Sequence, residues 1–189
     1  MKSIDFYYDF GSPTAYLAWS QLKNVDKTKF NIKFFPVLLG GIFKATDNKP
    51  PGQVKAKANW MFNDIKMYAN KYEINFNFND AFPVNTLYLM RGAIFAKENG
   101  ILDHYNQVIF NAMWVDNINL SEPKNIISVL EKSNFNSNEF LEAAEKQEIK
   151  EALKKTTSKA VELGMFGVPS FMVNGELFFG QDRMHWFLN

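Results

Sequence analysis

Gly164-Met165-Phe166-Gly167-Val168-Pro169-Ser170-Phe171-Met172-Val173-Asn174-Gly175-Glu176-Leu177-Phe178-Phe179-Gly180-Gln181-Asp182-Arg183 sets how the rest of the chain is read. It spells a helix end, a turn, a strand, a tight turn, a second strand and a helix start. Gly164 can close the preceding helix in the left-handed conformation that lacks a Cβ penalty. Ser170–Val173 and Glu176–Phe179 are aromatic and β-branched runs around Asn174-Gly175, the strongest short hairpin signal. Gly180 then frees the backbone before Asp182, which is placed to cap a last short helix. Pro169 admits two readings. It is an ordinary trans proline at a strand start, or it is cis and turns the chain so that the carbonyl and N–H of Val168 face outward. In the second case those groups can pair with an extended peptide as an added strand would.

Composition narrows the chemistry. The chain has 189 residues, 47% of them hydrophobic, with 19 Phe and 4 Trp, enough for one domain or a domain carrying an insertion. A formal net charge of +1 gives no field for nucleic acid or an anionic membrane surface. Met1-Lys2-Ser3-Ile4-Asp5 has no apolar leader core, and no apolar run reaches the length of a membrane span, so the expected location is the cytoplasm. The absence of cysteine excludes disulfides, thiolate metal sites and a protein thiol nucleophile. His104 and His185 lack ligand spacing, so no metal site is expected.

In chain order, Ile4–Phe10 reads as a buried strand. Ser12-Pro13 then opens a helix carrying Ala15, Tyr16, Leu17, Ala18 and Leu22, with Ser12 as N-cap and Pro13 in the first helical position. Ser12 is thus either a cap alone or a cap that also receives an anion at a helix N-terminus. A second strand covers Asn31–Val37. Gly40-Gly41 and Pro50-Pro51 mark an excursion from the sheet. From Gln53 to Leu163 the pattern is helical. Trp60, Met61, Ile65, Tyr68, Ala69 and Tyr72 define one apolar face, and a long last helix spans about Lys146–Leu163. Strands at both ends with helices between predict an α/β thioredoxin-like fold with a large all-helical insertion. The thioredoxin-like part is 1–45 plus 164–189, and the insertion is 46–163.

Several strings extend this reading: Asp9-Phe10-Gly11-Ser12-Pro13, Leu39-Gly40-Gly41-Ile42-Phe43-Lys44 with Asn48-Lys49-Pro50-Pro51, Phe82-Pro83-Val84-Asn85, Phe110-Asn111-Ala112-Met113-Trp114, and Phe166–Phe171 with Phe179–Arg183. Together they resemble the 2-hydroxychromene-2-carboxylate isomerases and the related kappa-class glutathione transferases, over essentially the whole chain. Gly11, Thr14-Ala15 and Asp47 depart from the family pattern. The resemblance implies that Pro169 is cis and that Ser12 is the catalytic hydroxyl, donating to the thiolate of bound glutathione. It implies glutathione contacts at Asn48, Lys57, Val168, Pro169, Phe179, Gly180, Gln181 and Asp182. For the substrate it points to Lys44, Asn85, Arg91 and Trp114, with Thr14, Tyr16 and Phe43 as further pocket candidates. Read without it, Lys44 and Lys57 are solvated lysines, Arg91 a partner for a helix carbonyl or an acid, Trp114 plain core, and His104 and His185 surface or structural.

The implied activity is glutathione-dependent isomerisation between 2-hydroxychromene-2-carboxylate and trans-o-hydroxybenzylidenepyruvate. Conversion about a double bond needs a nucleophile that adds, permits rotation and leaves; a cysteine-free chain must borrow that thiol from glutathione. The alternatives are a kappa-like transferase that conjugates small electrophiles, and a non-catalytic module binding glutathione or a hydrophobic ligand. A homodimer is expected, since relatives of this branch are typically dimers and 16% aromatic content leaves apolar surface to cover.

Overall fold

The computed structural model describes residues 1–188. Strands β1 (Lys2–Tyr8) and β2 (Phe30–Pro36) flank helix α1 (Pro13–Leu22), and a second helix, α2, covers Leu39–Thr46. Helices α3 (Lys55–Lys71), α4 (Leu87–Glu98), α5 (Leu102–Trp114), α6 (Pro123–Lys132), α7 (Ser137–Glu145) and α8 (Gln147–Glu162) follow. The hairpin β3 (Ser170–Val173) and β4 (Glu176–Phe179) and a 3-10 turn at Gln181–Trp186 complete the described chain. The sheet order is β2-β1-β3-β4. β1 pairs parallel to β2 and antiparallel to β3, with Phe6 opposite both Phe34 and Phe171. This is a thioredoxin-like sheet interrupted by helices. None of the described helices is long and apolar enough to cross a membrane.

Alternation along β1 assigns the two faces of the sheet. Ile4, Phe6 and Tyr8 point into the main core with α1, the insertion and Phe171; Tyr7 points to a smaller cluster with Ile42 of α2, Ala160 of α8 and Val168. Phe110 of α5 packs against Tyr8, Phe10, Tyr16 and Trp19, so the insertion shares one continuous core with the sheet. Helix α8 packs against α2 and β2 as well as α4 and α7, joining the expected insertion to the sheet layer.

The hairpin forms as its sequence dictates: Asn174 and Gly175 have φ of 52° and 84°, the paired positive values of a type I′ turn. Gly164, at φ 86°, ends α8, with Met165 N–H bonded to Ala160 O at 3.0 Å.

Three details depart from expectation, at β1, Trp60 and Asp182, and a fourth, at Gly40-Gly41, gives the expected excursion its form. β1 stops at Tyr8 because Asp9 and Ser12 close a turn, Ser12 N–H donating to Asp9 O at 3.0 Å. Gly40-Gly41 lies inside a helix. A Cβ on Gly41 would meet Thr157 Cγ2 at 3.1 Å, so this glycine serves the close approach of α2 to α8. Trp60, expected on a buried face, is 65% exposed, while Ile65 and Ala69 are buried. Finally, Gly180 is the residue before the last 3-10 turn, and the Asp182 side chain makes no cap hydrogen bond there; its carboxylate pairs with Arg183 instead.

The α4–α5 crossing is as tight as packing permits. A Cβ on Gly92 would sit 2.3 Å from the Tyr105 hydroxyl and 2.9 Å from its ring, and that hydroxyl is held by Leu89 O at 3.0 Å. Gly92→Ala is expected to destabilise by about 1–3 kcal/mol, the usual cost of overpacking a dense core. A urea midpoint equal to wild type would refute it.

Candidate active site

β1 delivers the chain to the N-terminus of α1 through Asp9-Phe10-Gly11-Ser12. Ser12 is buried, has extended backbone (φ −99°, ψ 113°) and accepts from Ala15 N–H, with Pro13 in the first turn and no acidic residue there. Its Oγ lies 3.1 Å from Ala15 N, 3.0 Å from Thr14 Oγ1 and 3.3 Å from Val168 O, to which it donates. Thus Ser12 is both a cap and a neighbour of the loop before β3.

Within that loop the Val168–Pro169 bond is cis. The Val168 carbonyl takes the Ser12 hydroxyl, while its N–H has no partner among the described residues. Pro169 O accepts from Gly180 N at 3.0 Å, which ties the loop to the end of β4. The Phe166 ring rests on Phe179, with centroids 4.6 Å apart; a Cβ on Gly167 would meet Phe179 at 3.1 Å. Asn48 Nδ2 donates to Phe166 O at 2.8 Å, drawing the loop after α2 to the same place. Asp47 reaches it through φ 53°, a left-handed value that Asp tolerates better than most residues. Next to Gly180, Gln181 is buried and its Oε1 has no partner among the described residues.

On α3, Lys57, Asp64 and Tyr68 share a face by helical spacing. Burial and then the Asp182 charge raise the Asp64 carboxyl; burial first, then the same charge, raises Tyr68. Lys57 is exposed with no partner among the described residues. Asp64 was absent from the sequence reading. Its signal was available as an acid two turns after Lys57.

The expected substrate residues lie on α2, at the start of and within α4, and on α5. Lys44 is exposed on the last turn of α2. Asn85 is exposed and accepts from Leu87 N–H at 3.1 Å at the start of α4. Arg91 turns to α7, donating to Ala144 O at 3.2 Å, with Glu145 at 3.9 Å. Trp114 is fully buried and its indole N–H donates to Phe10 O at 2.8 Å. Ser12, Val168, Pro169, Phe179, Gly180, Gln181 and Asn48 are therefore connected, Asp182 follows Gln181 in the chain, and Lys57 lies exposed on α3. Trp114 has its one donor engaged by Phe10 O, and Arg91 commits Nη1 to α7 while its buried Nε has no partner among the described residues.

Asp9 and Thr86 were likewise not assigned from sequence. Asp9 is buried; one oxygen accepts from Gly11 N–H (2.9 Å) and the Thr86 hydroxyl (2.7 Å), the other from Leu39 N–H (2.8 Å). Thr86 Cγ2 would lie 3.2 Å from a Cβ on Gly11, so the insertion presses on the Ser12 loop. Burial lifts the Asp9 carboxyl above its ordinary 3.8, against the pull of those three donors.

A folded pKa above the unfolded one gives stability that is fully present below pH 3.8 and is lost as pH rises through the folded value. The margin of wild type over Asp9→Asn is therefore expected to be wider in acid than near neutrality, read from urea midpoints across pH. A margin that widens toward neutrality removes this account.

Comparison with known proteins agrees with the geometry. A family model described as a DSBA-like thioredoxin domain matches residues 3–189. Human glutathione S-transferase kappa 1 is 28% identical over 198 residues, covering 97% of this chain and 88% of that protein. The 2-hydroxychromene-2-carboxylate isomerase of Pseudomonas sp. (strain C18) is 27% identical over 186 residues, covering 96% and 86%. A solved 2-hydroxychromene-2-carboxylate isomerase superposes with a TM-score of 0.88 at 24% identity, covering 97% of this chain and 91% of that one. At that identity the likeness is one of fold.

Proposed function

We propose that this chain, which belongs to the DsbA-like thioredoxin family, is a glutathione-dependent isomerase acting on 2-hydroxychromene-2-carboxylate or a close bicyclic analogue. One observation carries the reading. The Ser12 hydroxyl donates to the Val168 carbonyl in the loop before β3, the Val168 N–H has no partner among the described residues, and the chain has no cysteine. A disulfide oxidoreductase needs its own sulfur; this site offers donors for a sulfur that arrives with a ligand.

The groups present suit a γ-glutamyl tripeptide. The Val168 N–H and carbonyl can pair with the backbone of the central residue as an added strand does. The orphaned Gln181 Oε1 and the carboxylates of Asp182 and Asp64 suit the terminal ammonium, and Lys57 with Asn48 suits the glycyl carboxylate. Phe179 and Gly180 form the wall between these ends. When bound, glutathione supplies the soft nucleophile that adds reversibly to a conjugated enone and leaves unchanged after rotation.

The chain's own part is electrostatic. Ser12 releases its weak bond to Val168 O and donates to the sulfur, and the N-terminus of α1 favours the negative charge. Lys44 steadies the substrate carboxylate, and Asn85, at the start of α4, lies at the insertion's edge of the pocket. Arg91 and Trp114 act by holding the frame. Ser12 is no nucleophile, for a serine needs an adjacent base. Among the described residues, no histidine or lysine hydrogen-bonds its hydroxyl.

Ser12→Ala is expected to raise the pKa of bound glutathione by about one unit, worth about 1.4 kcal/mol. Turnover should slow near neutrality and partly recover at higher pH. Thiolate absorbance against pH reads the shift; identical titrations in both proteins would leave Ser12 as a helix cap only. Similarity to human glutathione S-transferase kappa 1 supports a second reading, a conjugating transferase. Free thiol conserved after many turnovers of a bicyclic hemiketal favours the isomerase, and thiol consumed favours the transferase.

The reading includes a homodimer. Trp60 and Trp186 are 65% and 71% exposed, large aromatic surface for a monomer to leave in water. Light scattering at micromolar concentration is expected to give twice 21.8 kDa; a single species at monomer mass sinks it.

A further inference from the structure

The hydroxyl of Thr14 lies 3.0 Å from Ser12 Oγ, and nothing in the proposed reaction has used it. A hydroxyl has one proton to donate and two lone pairs with which to accept. In the structure Ser12 Oγ accepts from Ala15 N–H at 3.1 Å and donates to Val168 O. The bond to Val168 O is long, at 3.3 Å, against about 2.7–2.8 Å for an ordinary O–H···O contact. That proton is thus weakly held and available to an incoming anion. Once it points at a thiolate, Ser12 has only lone pairs left for its neighbours. Ala15 N–H fills one of them. The contact with Thr14 then persists only with Thr14 as the donor.

We propose that Thr14 is a positioning residue that polarises Ser12. Its hydroxyl donates to Ser12 Oγ, so that with Ala15 N–H both lone pairs are filled and the one Ser12 proton is committed to the glutathione sulfur. Two effects follow. The Ser12 rotor is fixed, because any other rotamer breaks two accepted bonds. The donated bond to sulfur is also strengthened, because chained hydrogen bonds polarise one another. Thr14 is only half-buried, in the first turn of α1, so its methyl carries little of the core and its hydroxyl can be removed without opening a cavity.

This inference rests on the reading of Ser12 as the donor to bound glutathione, and the test separates the two. Glutathione and its desthio analogue γ-glutamyl-alanyl-glycine are titrated into wild type, Thr14→Val, Thr14→Ala, Thr14→Ser and Ser12→Ala, and the bound thiol is followed by thiolate absorbance against pH. Thr14→Val and Thr14→Ala are expected to raise the thiol pKa by roughly half a unit, about a threefold lower thiolate fraction below that pKa. Affinity for the desthio analogue should not change, and Thr14→Ser should restore the wild-type titration. If Thr14→Val and Thr14→Ala titrate as wild type does, Ser12 works alone and the inference is overturned. It is equally overturned if they lose affinity for the desthio analogue in proportion, because Thr14 then shapes the site without polarising Ser12. If wild type binds neither peptide, or Ser12→Ala leaves the thiol pKa where it was, the reading of Ser12 fails first and this inference falls with it.

Discussion

Three stretches of chain, distant in sequence, meet on the carboxylate of Asp9. Gly11 N–H fixes the loop that presents Ser12, Leu39 N–H begins α2, and Thr86 reaches in from the insertion. Helix α2 has Leu38 as its N-cap residue, which offers no side-chain bond. The free donors of that terminus are instead served from a distance: Leu39 N–H by Asp9, and Leu38 N–H by Thr157 at 2.9 Å. A carboxylate out of water is costly unless its oxygens are occupied, and a helix terminus is costly unless its N–H groups are. Each defect answers the other. The active-site loop, the helix carrying Lys44 and the insertion are held in one register by this exchange.

What could be read from sequence was what is decided locally. Asn174-Gly175 and Gly164 need positive φ, and few residues supply it; both adopt it. Ser12-Pro13 is a helix start whatever surrounds it, and it starts α1. The misreadings concern residues whose fate is set by a neighbour. Gly40-Gly41 marks an excursion from the sheet, but that the excursion is a helix depends on a neighbour, since packing against Thr157 needs the missing Cβ at Gly41. Trp60 has the right period for a core face, yet the face is set by what α3 lies on, and that buries Ile65 and Ala69. Asp182 has the chemistry of a cap, but Arg183 takes its carboxylate at 2.9 Å. Asp9 could not be recognised as a junction, because its three donors come from three segments whose meeting is a tertiary fact.

The missing cysteine changes what the thioredoxin scaffold offers without changing its frame. The strand, the helix N-terminus and the proline loop are present, and the helix opens on a hydroxyl, that of Ser12. A hydroxyl cannot exchange disulfides, but it can donate to a thiolate, which a thiolate cannot do for another. On the proposed reading, the same helix terminus that would depress the pKa of a protein thiol acts on a ligand's thiol instead.

In the proposed complex, exposure decides where affinity resides. Lys57 is exposed, and Asp182 already shares its charge with Arg183; charge pairs held in water contribute at most about 1 kcal/mol. The group with more at stake is the buried Gln181 Oε1, which has no partner among the described residues, because an unpaired buried polar group costs about 1–3 kcal/mol until something satisfies it. In that proposed complex the exposed charges would select the ends of the peptide and speed its approach, Gln181 Oε1 would take the terminal ammonium, and the Val168 N–H would pair with the backbone. On that proposal, a molecule that matches the charges but brings no donor to Gln181 Oε1 leaves that cost standing, which would favour a peptide thiol over a small free one.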